Sequence, residues 1–183
     1  MAPTSAEIRL PEWLAQRPLP QAPASDEACM ALAIGLAREN VARSGGGPFG
    51  AVIRSEADGG IVALGVNLVP ASGNPVLHAE VVAISLAGEA LAAPGGATLF
   101  TSCEPCIMCL GAAHWAGVSR IVCAALREDA EAIGFNEGAG CVELRAEMVG
   151  RGILYERGLM RAEAGDVLSA FARSGAAIYG PGR

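Results

Sequence analysis

The chain has 183 residues, 52% of them hydrophobic and 17% charged, which supplies one buried core and excludes a disordered chain. Thirteen basic residues against nineteen acidic ones give a formal charge of −6, so the basic face that a nucleic-acid partner demands is missing. No apolar run reaches the roughly 18–20 residues that span a bilayer, and Met1-Ala2-Pro3-Thr4 lacks the features of a signal peptide, which points to the cytoplasm and to no membrane partner.

Residues 1–24 hold five of the eleven prolines and read as an arm. Ile8, Leu10, Trp13 and Leu14 within it are apolar enough to dock, for instance on a second subunit. Residues 25–183 read as a single domain. Ser25 is a helix N-cap followed by the acidic Asp26 and Glu27, which predicts a helix over Asp26–Arg43, ended by Ser44-Gly45-Gly46-Gly47-Pro48. Phe49–Arg54 and Ile61–Leu68 predict a hairpin turning at Ala57-Asp58-Gly59-Gly60. A polar loop, Pro70–Pro75, leads to a helix over Leu77–Ala92, a buried strand at Thr98–Ser102 and a helix over Cys106–Ala116. Arg120–Ala125 is continuously apolar after its first residue, as in a sheet covered on both faces. Beyond Gly134 the pattern predicts a helix at Val142–Gly150, a strand at Ile153–Tyr155 and a helix at Ala164–Arg173. A hairpin followed by alternating helices and strands makes an α/β fold, a three-layer α/β/α sandwich around a mixed five-stranded sheet.

Three of the six cysteines fall within seven residues, Cys103, Cys106 and Cys109, which points to a metal or redox site rather than to disulfides. Cys106 and Cys109 share one face at the start of a helix, where Pro105 suits the first helical position and the helix end favours thiolates. Upstream stands His78-Ala79-Glu80. Two residues apart are roughly 200° around a helix axis, so His78 and Glu80 converge only over a helix tip. Two helix tips aimed at one point would offer one histidine and two cysteines to a tetrahedral zinc, leaving a fourth position for water. Glu80 is then placed to move protons between that water, a ring nitrogen and a leaving amine. H-x-E paired with P-C-x-x-C is the signature of zinc nucleobase deaminases. Two other readings stay open on the cysteines. An iron–sulfur site would need a nearer fourth cysteine than Cys123, and a closed site using Cys103 would leave no position for water. His114, in an apolar helix stretch, reads as a packed residue, and Cys29, Cys123 and Cys141 as core.

These residues resemble the cytidine-deaminase-like superfamily. Within it Pro48–Val52, Asn67, Thr101–Cys106, Cys109–Ala112 and Gly134-Phe135-Asn136-Glu137 are similar to bacterial guanine deaminases, over residues 26–180 or so. tRNA adenosine deaminases share the zinc motifs but typically have Leu at the position of Cys103 and Ala at that of Leu110. The resemblance implies conversion of guanine to xanthine and ammonia with one zinc per chain, in a homodimer. It implies that Asn67 hydrogen-bonds the purine, that Phe49 and Phe135 pack on its ring, and that Trp115 lies near the pocket. Glu137 would read the guanine edge and help shuttle protons, consistent with the donors that N1 and the exocyclic amine present. Tyr179 falls in a C-terminal segment that related enzymes exchange across a dimer. Rival activities are deamination of a triazine such as ammeline, of a nucleoside, or of tRNA adenosine. The non-enzymatic rival is a zinc-stabilised binding module, against which Glu80 argues, since structural zinc has no use for a general base.

Overall fold

The computed structural model describes residues 7–20, 24–92, 94–136 and 138–180. Five strands form one mixed sheet in the order β2-β1-β3-β4-β5: β1 (Gly50–Ser55), β2 (Ile61–Val66), β3 (Ala97–Cys103), β4 (Arg120–Ala125) and β5 (Leu154–Arg157). The hairpin β1–β2 is antiparallel, β1 also pairs antiparallel with β3, and β3–β4–β5 run parallel.

Alternating side chains send each strand's residues into two cores. Val52, Phe100 and Val122 face one layer of helices, α2 (Asp26–Ser44) and α8 (Arg161–Arg173). Ile53, Leu99 and Ile121 face the other, α4 (Ala79–Ala87), α5 (Ile107–Trp115) and α7 (Cys141–Gly150). The predicted three-layer sandwich is the one found. All three central strands are buried on both faces, which is why Arg120–Ala125 carries no polar alternation.

Several boundaries move, each for a local reason. Ser25 caps α2 as predicted, its hydroxyl accepting from the Ala28 N–H. The helix expected over Leu77–Ala92 is shorter: His78 is its cap, and after Ala87 the chain tightens into a 3-10 turn at Gly88–Ala92. Cys106 caps α5, so Pro105 lies one position before the cap rather than inside the helix. The loop after Pro70 contains a one-turn helix, α3 (Val69–Ser72), and a further helix, α6 (Arg127–Ala132), follows β4. In the arm, α1 (Glu12–Ala15) is a single turn whose Leu14 is buried in this chain's own core, with Trp13 donating from Nε1 to the Ser44 hydroxyl at 2.8 Å.

Candidate active site and metal centre

The tips of α4 and α5 meet at the end of the sheet. His78 and Cys106 have extended cap geometry, with ψ of 158° and 170°, and neither side chain caps its own helix. Each is thereby directed forward over its helix tip. His78 Nδ1 lies 3.6 Å from Cys106 Sγ and 3.6 Å from Cys109 Sγ. A tetrahedral zinc with Zn–N near 2.0–2.1 Å and Zn–S near 2.3 Å requires about 3.6 Å between nitrogen and sulfur. The donor set therefore fits zinc in chemistry and in spacing. Among the described residues these three form the one cluster that could hold a metal ion.

Cys103 stands outside the cluster. It is buried in the cavity wall with Sγ 3.8 Å from the Leu126 carbonyl, which removes the closed four-ligand site and the iron–sulfur alternative together. His114 is exposed at the end of α5, edge-on to Trp115, and is not the packed residue expected.

The electrostatics prepare the ligands. Hydrogen bonding with Cys109 brings the Cys106 thiol down to about 4, helped by His78. The same bond, with burial, pushes the Cys109 thiol up. Glu80, in the first turn of α4, is buried, and that burial, reinforced by the Cys106 charge, pushes its carboxyl above the usual range. Its Oε1 lies 3.3 Å from the Thr101 hydroxyl. A carboxyl that carries a proton more readily than in water suits a group that must accept one and then release it.

A cavity of about 400 Å³ opens over these groups. His78, Glu80 and Cys106 form its floor, and Asn67, Phe49, Phe135 and Tyr179 stand in its walls. Asn67 is almost wholly buried; its Oδ1 accepts from the Val69 N–H at 3.1 Å, while Nδ2 has no partner among the described residues. Phe135 packs edge-to-face on Phe49 at 5.0 Å and on Tyr179 at 5.2 Å between centroids. Tyr179 reaches its own chain's cavity after α8. Trp115 is not brought to the cavity. Six residues beyond Cys109 it lies about 120° away from it around the axis of α5, and it is 89% exposed. Glu137 lies outside the described residues; Asn136 and Gly138 beside it line the cavity.

Glu104 was legible only as a member of a motif. It is buried, lines the cavity and receives Arg157 at 2.8 Å, Arg145, and the Arg127 N–H at 3.2 Å. It thus ties the turn that carries Cys106 to β5, α7 and α6. Its partners are 23 to 53 residues away, beyond any local pattern.

Residues 23–125 match the cytidine and deoxycytidylate deaminase zinc-binding region. A guanine deaminase of Bacillus subtilis is 48% identical over 107 residues, 57% of this chain and 67% of that protein. The solved structure of a guanine deaminase from Nitrosomonas europaea superposes with a TM-score of 0.84 at 38% identity, over 92% of this chain and 97% of the other. A tRNA-specific adenosine deaminase of Streptococcus pyogenes is 32% identical over 70% of this chain and 72% of its own.

Proposed function

The chain belongs to the zinc-dependent cytidine and deoxycytidylate deaminase family, and we propose that its reaction is the hydrolysis of guanine to xanthine and ammonia. One observation carries the reading. A buried carboxyl and a His/Cys/Cys cluster that could hold a metal lie under one cavity, with an unpaired amide donor and two edge-to-face aromatic rings in its walls. The guanine deaminase relatives, one of them similar over nearly the whole chain, support the substrate.

Bound zinc supplies the Lewis acidity that brings a water molecule's pKa close to neutral. In the proposed reaction, guanine packs against Phe49 and Phe135 in the cavity wall, with Asn67 Nδ2 donating to an acceptor on the purine. Water adds at C2; Glu80 takes a proton from it and delivers it to the adjacent ring nitrogen. Glu80 then takes the remaining hydroxyl proton and passes it to the exocyclic nitrogen; the bond from C2 to that nitrogen breaks, the C2 carbonyl forms, and ammonia leaves. Glu137 accepts hydrogen bonds from the edge bearing N1–H, a role adenine would not fill because its N1 is an acceptor. Tyr179 closes the cavity.

We also place the enzyme in purine catabolism in the cytoplasm, as a homodimer. Six cysteines without a disulfide suit a reducing compartment. The outer face of α5, with Ile107, Gly111 and Trp115 at successive turns, supports the dimer. Residues 174–177, exposed between α8 and Tyr179, are the link along which an exchange of the C-terminal segment between subunits would run.

Ammonia release from guanine, guanosine, adenine, cytosine, cytidine and ammeline tests the substrate. Guanine is expected to lead, with xanthine as product. Turnover of another base with guanine silent would leave the family intact and remove the substrate.

A further inference from the structure

Asn40 lies in the penultimate turn of α2, fully buried and outside the cavity. Its Nδ2 donates to two carbonyls, that of Gly47 at 3.0 Å and that of Asn67 at 2.8 Å. Those carbonyls lie just before β1 and just after β2. Burying an amide is costly, and here the two bonds from Nδ2 offset that cost while Oδ1 has no partner among the described residues; an apolar side chain would fill the same space.

Each carbonyl belongs to a residue with a duty toward the cavity. Asn67 Oδ1 is held by the Val69 N–H, which fixes the amide's orientation, so the unpaired Nδ2 points wherever the Asn67 backbone puts it. Gly47 is the seat of Tyr179: a Cβ there would stand 1.6 Å from the phenol oxygen. The loop is also moulded on Asn40 itself, because a Cβ on Gly46 would stand 2.3 Å from Nδ2. Two walls of the cavity are thus hung on one amide.

We infer that Asn40 is a positioning residue that sets, from outside the cavity, both the aim of the Asn67 donor and the seat under Tyr179. The substrate in this inference is taken from the guanine reading above. Asn40 touches no substrate; it acts through Asn67 and Gly47.

The test uses the zinc-loaded full chain as wild type, Asn40→Ala, Asn67→Ala and the double variant, with zinc content and melting temperature recorded for each. Asn40→Ala is expected to raise KM for guanine about tenfold with kcat within about twofold, the pattern of lost uniform binding. The double variant is expected to lose less than the product of the two single losses, because the part of the Asn40 effect that runs through Asn67 is already gone while the part that runs through Tyr179 remains. Losses that multiply, or an unchanged KM in Asn40→Ala, would overturn the inference. Asn40→Ser retains one donor, and an intermediate KM is expected from it; it serves if the alanine variant does not fold. Should wild type release no ammonia from guanine, the substrate reading fails on its own. Crystal structures of the Asn40 variants then decide, with displaced Asn67 Nδ2 and Tyr179 expected and an unmoved pair overturning the positioning role.

Discussion

At His78 and Cys106 the backbone stays extended for one residue before each helix begins, and that single residue makes two ordinary helix starts candidate metal ligands. A cap side chain usually satisfies an orphan N–H of its own helix; these two do not, and the first-turn N–H groups instead favour thiolate nearby. The ligand and proton-transfer roles separate cleanly by substitution. Cys106→Ala is expected to lose its zinc, measured by metal analysis of the purified protein, and full zinc occupancy would remove the ligand assignment. Glu80→Gln is expected to keep zinc and melt like wild type while turnover falls about 10²–10⁴-fold, since an amide cannot relay a proton. Activity retained with zinc confirmed would place the relay on another group.

The elements show how much of this could be read in advance. The convergence of His78, Cys106 and Cys109 was legible because few side chains bind zinc and their spacing around helix tips is restrictive. Arg120–Ala125 was legible to the residue because a strand buried on both faces has no polar interruptions. The short helix α6 was not, being a charged half-dozen residues held by tertiary contacts; Asp129 accepts from the Leu126 N–H and pairs with Arg161, 32 residues on. Asn40 was equally silent, since its partners are set by how strands meet a helix. The start of α2 is held in the same way. Asp26 receives Arg54 at 2.7 Å and also Arg120, 94 residues away, joining α2 to β1 and β4. Hydrogen bonding from Arg120 holds the Asp26 carboxyl below its usual value, against the opposing effect of burial and with Arg54 adding to the lowering. A depressed folded pKa contributes stability that is complete above the unfolded value, near 3.9, and is lost as pH falls through it toward the folded value. Asp26→Asn is therefore expected to be less stable than wild type by on the order of 1 kcal/mol at pH 7. That gap should hold down to about pH 5 and close toward pH 2 to 3. Urea unfolding of the two proteins across that range checks it, and a gap independent of pH would remove Asp26 as a titrating contributor.

For the molecule as a whole, the apolar surface is uneven. The arm covers part of one core with Leu14, Trp13 and Leu10, so on that side the chain shields itself. On the opposite layer α5 has no such cover. Trp115 is 89% exposed and Ile107 is 41% exposed, with Gly111 between them at helical spacing. A bare tryptophan beside an apolar neighbour on a rigid helix is the kind of anchor that dominates interfaces, and burial removes 150–250 Å² of such a ring from water, as a rough guide. The face adjoins the metal centre, because α5 also carries Cys109 and begins at Cys106. A dimer formed there would buttress the helix that holds two of the three ligands. Trp115→Glu is expected to fold and melt like wild type within a few degrees, because the ring contributes nothing to the core. It is expected to weaken self-association by at least about 100-fold, the loss typical when a hot-spot residue is removed. Light scattering over a concentration series measures both proteins. A wild-type chain monomeric throughout, or a Trp115→Glu chain as dimeric as wild type, would remove this face as the dimer contact.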